Sequence, residues 1–201
     1  MPEETPDETA EVSEREIRAF IKAQIPRWIR NRSLTYLVEE MEVCSGRARI
    51  DLALISDQLI GIEIKGPKDD LTRLPGQVKA YSQCFDRVVL VAHENLASKA
   101  VALIPDWWGV IVGKQKSCRL RYHFMRRPQA NPALNLEMRL ALLWRDEINA
   151  LLSTLAGCSA KPRATKRAVR AELISRIEPP LLKDATLQKL RERADWRWIP
   201  I

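Results

Sequence analysis

Ala48-Arg49-Ile50-Asp51-Leu52-Ala53-Leu54-Ile55, then Ser56-Asp57-Gln58, then Leu59-Ile60-Gly61-Ile62-Glu63-Ile64-Lys65 is the stretch that decides the fold. Two β-branched-rich runs flank a short polar segment, the pattern of a β-hairpin. Side chains alternate faces along a strand. With partners placed symmetrically about Asp57, Asp51 falls opposite Glu63. One face then carries Ile50, Leu52 and Leu54 with Ile60, Ile62 and Ile64. The other carries Arg49, Asp51 and Ala53 with Gly61, Glu63 and Lys65.

Carboxylates side by side on a sheet repel. Either one holds a proton or a cation sits between them. All-oxygen ligation favours a hard divalent ion, Mg²⁺ or Mn²⁺ over Zn²⁺. Lys65, two residues past Glu63, shares its face. An acid pair with a lysine suits metal-assisted phosphodiester hydrolysis, in which the lysine orients water and offsets developing charge. The plainer reading of these residues alone is a solvated hairpin face with Lys65 paired to an acid.

Outward from the hairpin, Ile17, Phe20, Ile21 and Ile25 recur at helical period behind a capping-box spacing at Ser13-Glu14-Arg15-Glu16, and this helix should stop before Pro26. A second helix is expected from Ser33, with Leu34, Leu37, Val38 and Met41 on one face and Glu40 near its end. Residues 71–85 read as a helix with Pro75 in its first turn. A buried strand follows over 88–92, a helix over 96–103 and a strand pair over 108–112 and 119–124. Residues 134–155 read as one long amphipathic helix, with two short helices over 169–177 and 184–194. Trp196, Trp198 and Ile199 end the chain as apolar groups expected to dock back.

Charge is uneven. The chain carries +7, yet residues 1–16 hold seven acids and one arginine, so an acidic leader precedes a basic body. A basic body favours nucleic acid over acidic small molecules. No apolar run reaches the ~18 residues of a membrane span, and the acidic start does not read as a secretory signal. The four cysteines are widely spaced, so reduced thiols in a cytoplasmic protein are expected rather than a zinc site. No P-loop and no Ser-His-Asp arrangement occurs.

Asp51, then Glu63-Ile64-Lys65, then a helix bearing Gln77 and Tyr81 resembles the PD-(D/E)XK nuclease superfamily. More closely, Gly46-Arg47-Ala48-Arg49-Ile50-Asp51, Gly61-Ile62-Glu63-Ile64-Lys65, Leu71-Thr72-Arg73-Leu74-Pro75-Gly76-Gln77, Tyr81, Phe85-Asp86-Arg87 and Pro105-Asp106-Trp107-Trp108-Gly109 resemble one small bacterial and prophage-encoded family. The resemblance implies a restriction-endonuclease-like α/β fold with an αβββαβ core, a mixed sheet flanked by helices. It also implies Mg²⁺, with Mn²⁺ as a substitute. Asp51 and Glu63 take metal-ligand roles and Lys65 that of the catalytic lysine. Glu40 becomes the further acid from the first core helix, with Glu39 and Glu42 as fallbacks. Gln77 takes the helix position that contacts metal-associated water or phosphate. Metal-activated water would attack phosphorus in line. After Lys65 the chain departs from the family, reading Gly66-Pro67-Lys68-Asp69 where Ser and an acid are usual.

The expected organisation is a leader over 1–15, a nuclease core over 16–127 and a helical C-terminal extension over 128–201 with a basic linker at 159–168. Nucleic acid, DNA foremost, is the expected partner, contacted by Arg49, Arg73, Tyr81, Arg119, Arg121, Lys166 and Arg167. Tyr81 reads equally well as a half-buried core residue, and the basic strand and linker as solvated surface. Cutting both strands would suit a homodimer. The alternative is a catalytically silent nuclease-fold module that binds nucleic acid or a protein.

Overall fold

The computed structural model describes residues 14–28, 35–116, 119–193 and 197–198. Their order is α1 (Glu14–Trp28), β1 (Tyr36–Val43), β2 (Ala48–Ile55), β3 (Leu59–Lys65), α2 (Leu74–Cys84), β4 (Arg87–His93), α3 (Glu94–Val101), β5 (Gly109–Lys116), β6 (Arg119–Arg126), α4 (Leu136–Leu140), α5 (Arg145–Ala156), α6 (Lys166–Arg176), α7 (Pro179–Arg191) and β7 (Arg197–Trp198). The strands form one mixed sheet in the order β6-β5-β4-β3-β2-β1-β7. β3, β4 and β5 run parallel, and the remaining pairs are antiparallel.

The hairpin stands where its period placed it. Leu52 pairs with Ile62, Ala53 with Gly61, Leu54 with Ile60 and Ile55 with Leu59. On one sheet face α1 buries Ile17, Ile21 and Ile25 against Leu52, Leu54, Ile62, Ile64, Val89, Val91 and Ile111. On the other face a single cluster joins Ala53, Ile55, Leu59, Tyr81, Phe85, Leu90 and Trp108 to Leu143, Ile148, Leu152, Leu173, Leu182 and Leu190 of the C-terminal helices. The extension therefore shares the sheet's own core. Among the described residues no helix is long and apolar enough to cross a membrane.

Four expectations are corrected. The helix expected from Ser33 is strand β1 where the chain is described, so Glu40 lies on a strand. α1 runs past Pro26 to Trp28, because a proline in the last turn removes only one i→i−4 bond. The long helix over 134–155 is two, α4 and α5, interrupted at Ala141–Trp144. Ile50 packs on the face opposite Leu52 and Leu54.

The last correction has a local cause. Glu40 has a φ of 54°, a left-handed conformation costly for a residue with a Cβ. The β1–β2 ladder pairs Glu39 with Leu52 and Met41 with Ile50, leaving Glu40 and Asp51 between them. Leu37 and Leu52 face α1, whereas Met41 and Ile50 face α2's side, so side-chain parity switches at this one level of the sheet.

Trp107 and Trp108 pack beneath the sheet, Trp108 fully buried and in edge contact with Trp107. Ser13, Ser33, Leu34, Cys118, Trp196 and Ile199, for which the sequence gives expectations, lie outside the described residues, as does most of the acidic leader. Gly109 admits no side chain: a Cβ there would stand 2.7 Å from Pro128 Cδ and 2.9 Å from its backbone nitrogen. Gly109→Ala is expected to cost about 1–3 kcal/mol, read by urea denaturation.

Candidate active site

The site forms where the hairpin strands part. The β2–β3 ladder is regular only as far as Leu52, and beyond it the Asp51 side chain takes over. Asp51 Oδ2 accepts the Ile64 amide at 2.7 Å, and Oδ1 pairs with Arg18 of α1 at 3.0 Å. On the turn side of Ile64, Glu63 is 2% exposed, and on its other side Lys65 is 4% exposed. Such side chains are buried only when partnered.

The Glu63 carboxyl has three polar partners. Lys65 Nζ lies 2.9 Å and Gln77 Nε2 2.6 Å from its Oε1, and the Tyr81 hydroxyl lies 2.9 Å from its Oε2. Gln77 and Tyr81 stand one turn apart on α2, the spacing that puts both on one helix face. The Tyr81 hydroxyl is also 2.7 Å from the Arg49 carbonyl, and its single proton serves one acceptor at a time.

Burial first, then the Asp51 charge, raises the Glu63 pKa to about 7, although Lys65 opposes the shift. A protonated Glu63 can donate to the Tyr81 oxygen while Tyr81 donates to Arg49. Burial and the Glu63 charge push the Tyr81 pKa well up, so Tyr81 stays a neutral donor.

Above these groups opens a cleft of about 1020 Å³. Asp51, Glu63 and Lys65 lie along it, with Glu40, Arg49, Arg73 and Gln77. Arg18, Arg47 and Lys79 join them without having been singled out by sequence. The departure after Lys65 closes on itself: Asp69 Oδ2 accepts the Gly66 amide at 2.7 Å, and Asp69 also lines the cleft.

Several expected site residues are placed differently from their expected roles. Tyr81 is fully buried, so it positions Glu63 rather than touching a ligand from solvent. Glu40 turns to Arg49 at 3.1 Å and Arg18 at 3.5 Å. Among the described residues no group of three His, Cys, Asp or Glu side chains is placed to hold a metal, so Glu40 does not join Asp51 and Glu63 as a third ligand. Glu39 pairs instead with Lys22 of α1. Arg121 is exposed on β6 at the sheet's far side, and Lys166 and Arg167 lie on α6; none lines the cleft. The side chain of Arg119 lies outside the described residues.

The donor set nevertheless fits a hard cation. Two carboxylates lie together, and Gln77 Oε1 beside them is buried without a hydrogen-bond partner. Mg²⁺ is commonly held by one or two carboxylates, with water and phosphate completing its shell.

Fold and site together define a mixed α/β protein whose hairpin floors a charged cleft with a buried carboxylate–lysine cluster. The chain belongs to the family described as Bacteriophage P4 protein cII, whose model matches residues 8–197. It is similar to Protein cII of Enterobacteria phage P4, 25% identical over 136 residues that cover 66% of this chain and 52% of that protein. The chain thus spans about half the length of the curated relative it matches. No solved structure matches.

Proposed function

We infer that the chain is a metal-dependent nuclease of the PD-(D/E)XK type, hydrolysing phosphodiester bonds in DNA by in-line attack of water. The observation that carries this reading is the buried Glu63–Lys65 pair beside Asp51 at the floor of the cleft. Two further features support it: the order α1-β1-β2-β3-α2-β4, and the convergence of Gln77 and Tyr81 on Glu63.

Asp51 and Glu63 would hold Mg²⁺, which supplies Lewis-acid polarisation of the phosphate and of water. Lys65 orients the attacking water and offsets charge developing on the phosphate oxygens. Tyr81 fixes the Glu63 carboxyl, and Gln77 offers its unpartnered oxygen to water. Arg49 and Arg73, both exposed on the cleft, pair with backbone phosphates on either side of the scissile bond.

One observation favours a second reading, a module that binds without cleaving. Arg18 already places a cation against Asp51 and Glu40, neutralising the acids from within.

Calorimetry with Mg²⁺ and Mn²⁺, alongside cleavage of labelled DNA, separates the two. The nuclease reading expects ion binding that Asp51→Asn abolishes and cleavage that Lys65→Met lowers about 100-fold or more. A wild-type chain that binds neither ion in the presence of DNA, and still does so as Arg18→Ala, would favour the silent module.

A further inference from the structure

Away from the cleft, one surface gathers an aromatic ring and several cations that sequence separates. Trp144 precedes α5 and is 54% exposed, an unusual position for the largest side chain. Its ring is nonetheless held from beneath. The Arg193 guanidinium lies 4.2 Å from the ring centroid, and Glu147 grips that guanidinium at 2.7 and 2.6 Å. Arg193 also donates to the Leu142 carbonyl at 2.8 Å. The result is a half-exposed indole with one face backed by a guanidinium.

The basic linker is pinned beside this ring. Arg145, the next residue, donates to the Ala164 carbonyl, and the Ala164 amide bonds to Lys161 O at 3.0 Å. What reads in sequence as a tether is a fixed turn leading into α6. Its first residues, Lys166 and Arg167, sit at a helix N-terminus with no acid in the first turn, so the helix dipole adds to their positive field. Burial first, and then Arg170, Arg193 and Arg145 against Glu147, hold the Lys166 ammonium below its ordinary pKa range. Crowding of like charge is relieved when an anion binds.

We propose that Trp144, Arg145 and Lys166, with Arg167 next along α6 and 3.7 Å from Glu137, form a second nucleic-acid site that takes single strands, stacking a base on the indole and pairing phosphates with the α6 end. A stacking plate selects unpaired bases, because a duplex keeps its π-faces covered. The site stands apart from the cleft and does not depend on cleavage there.

The test is fluorescence anisotropy of the full chain with a fluorescein-labelled oligo-dT of about twenty nucleotides, in EDTA so that nothing is cut. Trp144→Ala is expected to weaken binding about tenfold, and Trp144→Phe to retain most of it. Lys166→Ala with Arg167→Ala is expected to flatten the logarithmic salt slope by about 0.7 per cation removed. A Trp144→Ala chain that melts like wild type and binds as tightly overturns the inference. So does a duplex of equal length that binds more tightly than the single strand without regard to Trp144. A chain that binds through Trp144 yet never cuts would count against the nuclease reading alone.

Discussion

Asp86→Ala is expected to lower the unfolding free energy by about 3–5 kcal/mol, the scale for breaking one side of a buried ion pair. Asp86 is 7% exposed at the junction of the sheet with the C-terminal helices. Its Oδ2 accepts the Leu59 amide at 2.7 Å and pairs with Arg139 of α4 at 2.5 Å, while Oδ1 pairs with Lys183 of α7 at 2.7 Å. Arg139 is fully buried and also donates to the Cys84 carbonyl. Without Asp86, its guanidinium would be left without a counterion inside the protein.

The measurement is equilibrium urea denaturation, with Asp106→Ala as the control. Asp106 also pairs with an arginine, Arg126 at 3.0 Å, but is fully exposed, so its loss should change stability little. Burial raises the Asp86 pKa, but Arg139, the Leu59 amide and Lys183 outweigh it and hold the carboxyl below its ordinary range. The stabilisation is therefore present at neutral pH and lost as pH falls through that lowered value. Equal stability of Asp86→Ala and Asp106→Ala would remove Asp86 as the link between the sheet and the extension.

The hairpin was legible because a two-residue period and a polar turn act locally, and its register follows from the turn. β1 was not, and Glu40 is the reason. The parity switch at that residue puts Leu37 on one face and Met41 and Val43 on the other. The resulting apolar spacing reads as 3.6 when the chain is in fact extended. The break between α4 and α5 was invisible for a different reason. Leu142 and Glu147 are claimed by Arg193, and the bond to Leu142 spans 51 residues.

The chemical core of the candidate site could be named from the chain, since Asp51, Glu63 and Lys65 sit on adjoining strands and Gln77 and Tyr81 one turn apart on a helix. Its electrostatic frame could not. Arg18 reaches Asp51 across 33 residues, and only folding decides which basic side chains converge on the cleft. Arg18, Arg47 and Lys79 arrive there, while Arg121 is carried outward because Tyr122 and Phe124 point into the α1 face.

The same frame sets a pH dependence that can be measured on the protein without substrate. Glu63 has a pKa of about 7 in the fold against 4.5 as an ordinary glutamate. Between those values the native state keeps a proton that the unfolded chain releases, so stability falls as pH rises. The contribution is fully present below about pH 4.5 and lost through about pH 7, a total of about 3 kcal/mol. Thermal melts in metal-free buffer should show that loss between pH 5 and 8 (about one to two units either side of the Glu63 midpoint) in wild type, and Glu63→Gln should remove this slope whatever its own cost at a fixed pH. Asp51→Asn removes the second cause of the shift, so its midpoint should move to lower pH. Mg²⁺ should raise the melting temperature at pH 8 far more than at pH 5, because only the ionised pair attracts it, and should do so in neither variant. A wild-type profile as flat as that of Glu63→Gln would mean that Glu63 is ionised throughout and that Lys65, rather than a proton or a metal, neutralises it.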